Sequence, residues 1–178
     1  MLKLLDFIEG NEDIIVTDYY TLENRTFTMV DRNNGSIVQV PIEFYATTPS
    51  IANLTRSRPE AYLIPRPWSS VAERLSILGL RVQTLDYSYR STVEALNITS
   101  SSLKGTIYEG HVLNTVTTEP ISKDVVLPAG SFLVSTRQKN AALAFITLEP
   151  ENIDSYVTFG IVPVEEGDEY PIYRVMGE

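Results

Sequence analysis

The chain has no cysteine, which excludes disulfides, thiolate metal sites and cysteine nucleophiles. Histidine is nearly absent as well: His111 stands alone among 178 residues. A zinc site of the usual hydrolase kind takes three protein ligands, mostly imidazole, and one histidine cannot supply the usual pair. Serine hydrolysis would have to recruit that same histidine, and no Gly-x-Ser-x-Gly elbow is present. Gly79, Gly105, Gly110 and Gly130 stand apart, so no glycine-rich phosphate loop exists. No apolar run reaches the length of a membrane-spanning helix. Basic residues are in deficit, 14 against 23 acids, and a net charge of −9 disfavours a nucleic-acid partner. The start carries one early lysine and Asp6 interrupts its apolar residues, so it does not read as a signal peptide.

What is present describes a packed protein. A hydrophobic content of 43% with ten tyrosines suits a globular chain of one domain, or one domain with a short lead-in. Residues 1–56 read as that lead-in, with a short helix at Leu2 to Ile8 and a β-hairpin. Asp13 to Asp18, Thr26 to Val30 and Ile37 to Val40 suggest strands. Asp31 to Gly35 joins the last two as a hairpin turn, because Asn-Gly suits the primed turn types. Pro41 to Asn53 reads as a polar connection. Whether these first strands form their own sheet or extend a larger one stays open.

Residues 57–178 read as an α+β domain, expected to form one compact unit with the lead-in. Its organising stretch is Arg58 to Leu85. Ala61 to Ile64 is a short strand ended by Pro65 and Pro67. Ser70 and Glu73 fit a capping box, and Trp68, Val71, Ala72, Leu75 and Leu78 fall on one helical face. Gly79 suits a left-handed helix end, and Leu80 to Leu85 leave as a second strand, parallel to the first by a right-handed crossover. Thr92 to Ile98, Ile107 to Val116, Asp124 to Leu127, Ser131 to Ser135 and Tyr156 to Val162 suggest further strands, with Ser100 to Ser102 a loop. Ser135 and Gln138 form a second capping box ahead of Ala141 to Ile146, apolar on nearly every side and therefore internal. The expected fold is a mixed, largely antiparallel β-sheet structure with one βαβ unit and two short helices.

Few residues offer chemistry. His111 could act as a base near Glu109, but a hydrogen-bonded strand histidine is the plainer reading. Glu149, Glu151 and Asp154 could supply an acid–base pair of carboxylates, or simply hold an arginine, with Arg137 a candidate. Glu165 to Glu169 lacks calcium-loop spacing and reads as a solvated turn. Trp68 could stack on a sugar, yet at the head of an amphipathic helix it reads as a core lid. No catalytic, cofactor or metal residue is therefore assigned. Asn24, Asn34, Asn53 and Asn97 each open an Asn-x-Ser/Thr acceptor, against about 1.6 expected by chance. That excess points to surface glycosylation in a secreted, extracellular eukaryotic protein.

Five short motifs occur in order: Arg58-Pro-Glu-Ala-Tyr-Leu-Ile-Pro65 with Gly79-Leu80, Tyr108-Glu-Gly110, Leu127-Pro-Ala-Gly-Ser131 through Gln138, Leu148-Glu-Pro-Glu151 with Asp154-Ser155, and Tyr170-Pro-Ile-Tyr-Arg174. This order resembles the region C-terminal to the catalytic domain in secreted, fungal-type zinc carboxypeptidases of the carboxypeptidase A superfamily. That family binds zinc through a His-x-x-Glu pair and a distant histidine, and neither occurs here. The resemblance implies a non-catalytic accessory domain that packs on or assists the catalytic domain of the same chain, where the zinc would sit. It also implies an apolar patch at the contact. An independent extracellular module binding a glycan or a protein is the alternative, and would present an exposed aromatic row or cleft.

Overall fold

The computed structural model describes residues 13–177, with the side chains of residues 18–21 and 47–50 left out. The expected helix at Leu2 to Ile8 lies outside these residues. β1 (Asp13–Val30) and β2 (Ile37–Ser57) pair antiparallel as a two-stranded sheet of their own. Pro41 to Asn53 is therefore strand and not connection. Proline is tolerated because Pro41 lies in a ribbon with no third strand to demand its missing N–H. The turn also differs from expectation. It is a six-residue loop in which Asp31 accepts from the Gly35 amide at 2.8 Å, and Asn34 does not adopt the positive φ of a primed turn.

The second sheet has the order β4-β7-β3-β8-β5-β6, and its paired neighbours are all antiparallel. Its strands are β3 (Ala61–Ile64), β4 (Gln83–Thr84), β5 (Tyr89–Tyr108), β6 (His111–Leu127), β7 (Phe132–Ser135) and β8 (Tyr173–Val175). α1 (Ser69–Ile77) joins β3 to β4, which do run parallel. They are not neighbours, however: β7 lies between them, so the expected βαβ unit is split. The α+β reading holds, with more strand than expected. Ser100 to Ser102 belongs to β5, which passes the polar run through register shifts. Ile107 to Val116 is broken by a two-residue turn, where Glu109 and Gly110 take φ of 49° and 83°. Tyr156 to Val162 forms hydrogen-bonded turns and not a strand.

α1 ends as its sequence predicts. Gly79 sits at φ 89°, its amide donates to Ser76 and the Leu80 amide reaches back to Leu75, which satisfies two carbonyls of the last turn. Neither expected capping box closes. Trp68 precedes α1 without a side-chain cap, and α2 (Ala141–Leu148) begins at Asn140, too late for Ser135 to cap it. Gln138 instead donates to the Ser135 carbonyl at 2.7 Å. Val71, Ala72 and Leu75 of α1 and Ala144, Phe145 and Leu148 of α2 cover Tyr62 and Ile64 on one sheet face. Leu63 points to a smaller cluster with Val93, Val125 and Leu127 on the other. Ile14, Val16 and Leu54 plug the root of the ribbon into the main core.

Candidate functional site

The structure separates the residues that sequence reasoning grouped. His111 is exposed beside the β5–β6 turn, edge-on to Phe159 with ring centres 5.6 Å apart. Asp154 lies in an exposed turn, where its amide donates to Asn152. Trp68 is half-buried against the core, as the plainer reading had it. Among the described residues, no three His, Asp or Glu side chains gather as a metal site.

Glu149 and Glu151 do meet, but inside the protein. Glu149 is fully buried at the end of α2. Its Oε1 accepts from the Tyr62 hydroxyl at 2.6 Å and from Arg174 Nε at 3.0 Å, and its Oε2 from Arg56 Nη1 at 3.3 Å. Arg56 also pairs with Glu151 and donates to Thr118 at 2.8 Å. Arg174 pairs with Glu94 on β5 and donates Nη2 to the Ser57 carbonyl at 2.6 Å. The arginines that hold these acids are thus Arg56 and Arg174. Arg137, the expected partner, pairs with Glu60 instead. Every guanidinium contact is charge-assisted, and together they fix the root of the ribbon to β5, β6, β8 and α2.

Burial pushes the Glu149 carboxyl up to about 6, against the pull of the Tyr62 hydroxyl and the Arg56 guanidinium. The folded protein therefore keeps this proton to higher pH than the unfolded chain does. The stabilisation is fully present below about 4.5 and is lost as pH rises through about 6. We expect this group to lower the unfolding free energy by about 2 kcal/mol across that window. Glu149→Gln flattens that part of the profile in urea titrations; an unchanged slope would refute the assignment.

The second candidate is a surface. Opposed residues in an antiparallel ribbon share a face. Leu22/Tyr45, Asn24/Glu43, Thr26/Pro41 and Thr28/Gln39 lie on one side, where Thr28 and Gln39 hydrogen-bond each other. Glu23/Phe44, Arg25/Ile42, Phe27/Val40 and Met29/Val38 lie on the other. This second face is an apolar band, interrupted only by the Glu23–Arg25 pair, whose guanidinium covers the Phe44 ring. Phe27 is 43% exposed and Met29 52%. The pattern Val38-x-Val40-x-Ile42-x-Phe44 carried this information in the sequence, where the proline hid it. A two-stranded ribbon is marginal in water, and an apolar face on one asks for a cover.

Comparison with known proteins supplies the context. Carboxypeptidase 2 of Trichophyton equinum and of Trichophyton rubrum are each 49% identical to this chain over 169 residues, which is 95% of the chain. The chain is homologous to part of the fungal carboxypeptidase 2 proteins. It spans 31% of the length of these relatives. Probable carboxypeptidase 2 of Arthroderma benhamiae is 47% identical over 148 residues, 83% of the chain and 28% of that protein. No family model and no solved structure matches. The resemblance carried by the five motifs is thus confirmed at the level of the fungal carboxypeptidases. Several of those motifs are now explained by structure: Tyr62, Glu149 and Arg174 meet in the buried network, and Glu109-Gly110 makes the β5–β6 turn. Of the four glycosylation acceptors, Asn24, Asn34 and Asn53 are exposed and Asn97 is half-buried.

Proposed function

We propose that this chain is the non-catalytic C-terminal accessory domain of a secreted zinc metallocarboxypeptidase, and that it packs on the catalytic domain through the apolar face of the β1–β2 ribbon. The observation that carries the reading is the division of that ribbon into two faces. Phe27 and Met29 stand uncovered on one face, beside Phe44 under the Arg25 guanidinium, while the acceptor Asn24 stands on the other with Thr26, Thr28 and Gln39. That other face carries exposed apolar pairs only towards its ends, Leu22/Tyr45 and Val30/Ile37. A glycan on Asn24 would keep its own face in water and leave the apolar face free to dock. The buried network at Arg56 and Arg174 holds the root of the ribbon, so the arm is presented from a fixed base. Zinc and the residues that bind it belong, on this reading, to the catalytic domain.

Two measurements test it. The natural secreted chain should remain much heavier than 19.9 kDa after enzymatic deglycosylation and should lose mass in that step. His111→Ala in the intact protein should leave kcat/KM for carboxypeptidase activity within about twofold. A mature deglycosylated chain of 19.9 kDa would remove the accessory-domain reading. A hundredfold loss of activity in the histidine variant would show that this region takes part in catalysis.

A further inference from the structure

A groove of about 760 Å³ lies between the segment that leads into β4 and the start of α2, in the size range of ligand sites. Four of the chain's 14 basic residues line it: Arg58, Arg81, Arg137 and Lys139. Of these, only Arg137 has a carboxylate partner among the described residues, Glu60 at 2.6 Å. Arg58 donates to the Thr136 carbonyl at 2.9 Å and lies 6.0 Å from the centre of the Phe145 ring, which holds its guanidinium in place without neutralising it. The walls are fastened to each other. Gln138 accepts from the Arg81 amide at 2.7 Å and donates to the Arg81 carbonyl, and Asn140 donates to the Gly79 carbonyl at 3.3 Å. Between the charges Thr136, Gln138 and Asn140 are polar, and Ala142 and Leu143 give the lining an apolar side.

Glu60 pairs with Arg137 and feels the charge of Arg58 as well, but one carboxylate does not balance four cations, and the cluster attracts further negative charge even on a chain of net charge −9. We propose that this groove binds an acidic peptide segment, with Arg58, Arg81 and Lys139 receiving its carboxylates and Ala142 and Leu143 its apolar side chains. Guanidinium forks match carboxylates, and the spread of charge along a lining with an apolar side suits an extended peptide better than a lone ion. Polyphosphate backbones are disfavoured by the acidic remainder of the surface. This site stands apart from the ribbon face, and the inference does not depend on the accessory-domain reading.

The test is fluorescence anisotropy on the full-length protein with a labelled, end-blocked peptide of alternating glutamate and leucine, and its glutamine counterpart. The glutamate peptide should bind, and weaken with salt, while the glutamine peptide should not. Arg81→Ala and Lys139→Ala, both at exposed positions, should each weaken binding by about threefold to tenfold. Lys104→Ala, on the β5–β6 hairpin, should leave it unchanged. Absence of binding, equal binding of the glutamine peptide, or wild-type affinity in both groove variants would overturn the proposal. So would displacement by inorganic phosphate at matched ionic strength, because the groove would then be a simple anion site.

Discussion

Arg174→Met should destabilise the protein by about 3–5 kcal/mol, measured by urea unfolding near neutral pH. Arg174 is 2% exposed and serves three acceptors on three elements: Glu149 after α2, Glu94 on β5 and the Ser57 carbonyl at the end of β2. Removing it leaves Glu149 buried with less compensation, and an uncompensated buried charge is the expensive outcome. Lysine should not restore the loss, because one ammonium on a flexible stem cannot reproduce three contacts made by a planar fork. A double-mutant cycle with Glu149→Gln should be strongly non-additive, since both changes strike one network. Additive effects, or a loss below about 1 kcal/mol, would mean that the network contributes little.

The second large effect concerns the ribbon, and it depends on context. Phe27→Thr, Met29→Thr and Phe44→Thr replace exposed apolar side chains with a residue that still favours a strand. In the isolated 178-residue chain each should cost about 1 kcal/mol, because these side chains are only partly buried there, at 36–52% exposure. In the intact protein the same residues would be covered, and each substitution should cost about 2 kcal/mol of docking energy. The triple variant should therefore separate one thermal transition into two in calorimetry. Unchanged calorimetry in the intact protein would place the contact elsewhere.

Sequence patterns foretold local structure better than long-range structure, for physical reasons. α1 was legible because Val71, Ala72 and Leu75 repeat at helical spacing and Gly79 supplies the left-handed end. α2 was legible as a helix because every residue from Ala141 to Ile146 is apolar, but it is only partly internal: Ala144, Phe145 and Leu148 are buried while Ala142 and Ile146 are exposed. The long strands were not. Pro41 in β2 and Ser100 to Ser102 in β5 are poor strand residues by local rules, yet ladder pairing carries the chain through both. The strand inserted between β3 and β4 was also hidden, since pairing with β7 joins residues about 70 positions apart.

The buried network was half visible. Glu149 follows an apolar helix directly and Arg174 ends the run Tyr170-Pro-Ile-Tyr, and a charge within an apolar stretch asks for a partner. Nothing local could say that the partners were each other and Arg56, 93 positions before Glu149. The groove was invisible for the same reason. Arg58, Arg81 and Lys139 lie on separate segments that only the folded chain brings to one lining.

Hydrogen exchange read by mass spectrometry on β1 and β2, in the isolated chain and in the intact protein, tests the docking account most directly. Amides of residues 22–30 and 37–45 should exchange quickly in the isolated chain, where the ribbon stands alone, and be strongly protected in the intact protein. Equal exchange in both would contradict the account, because the apolar face of the ribbon would then have no cover.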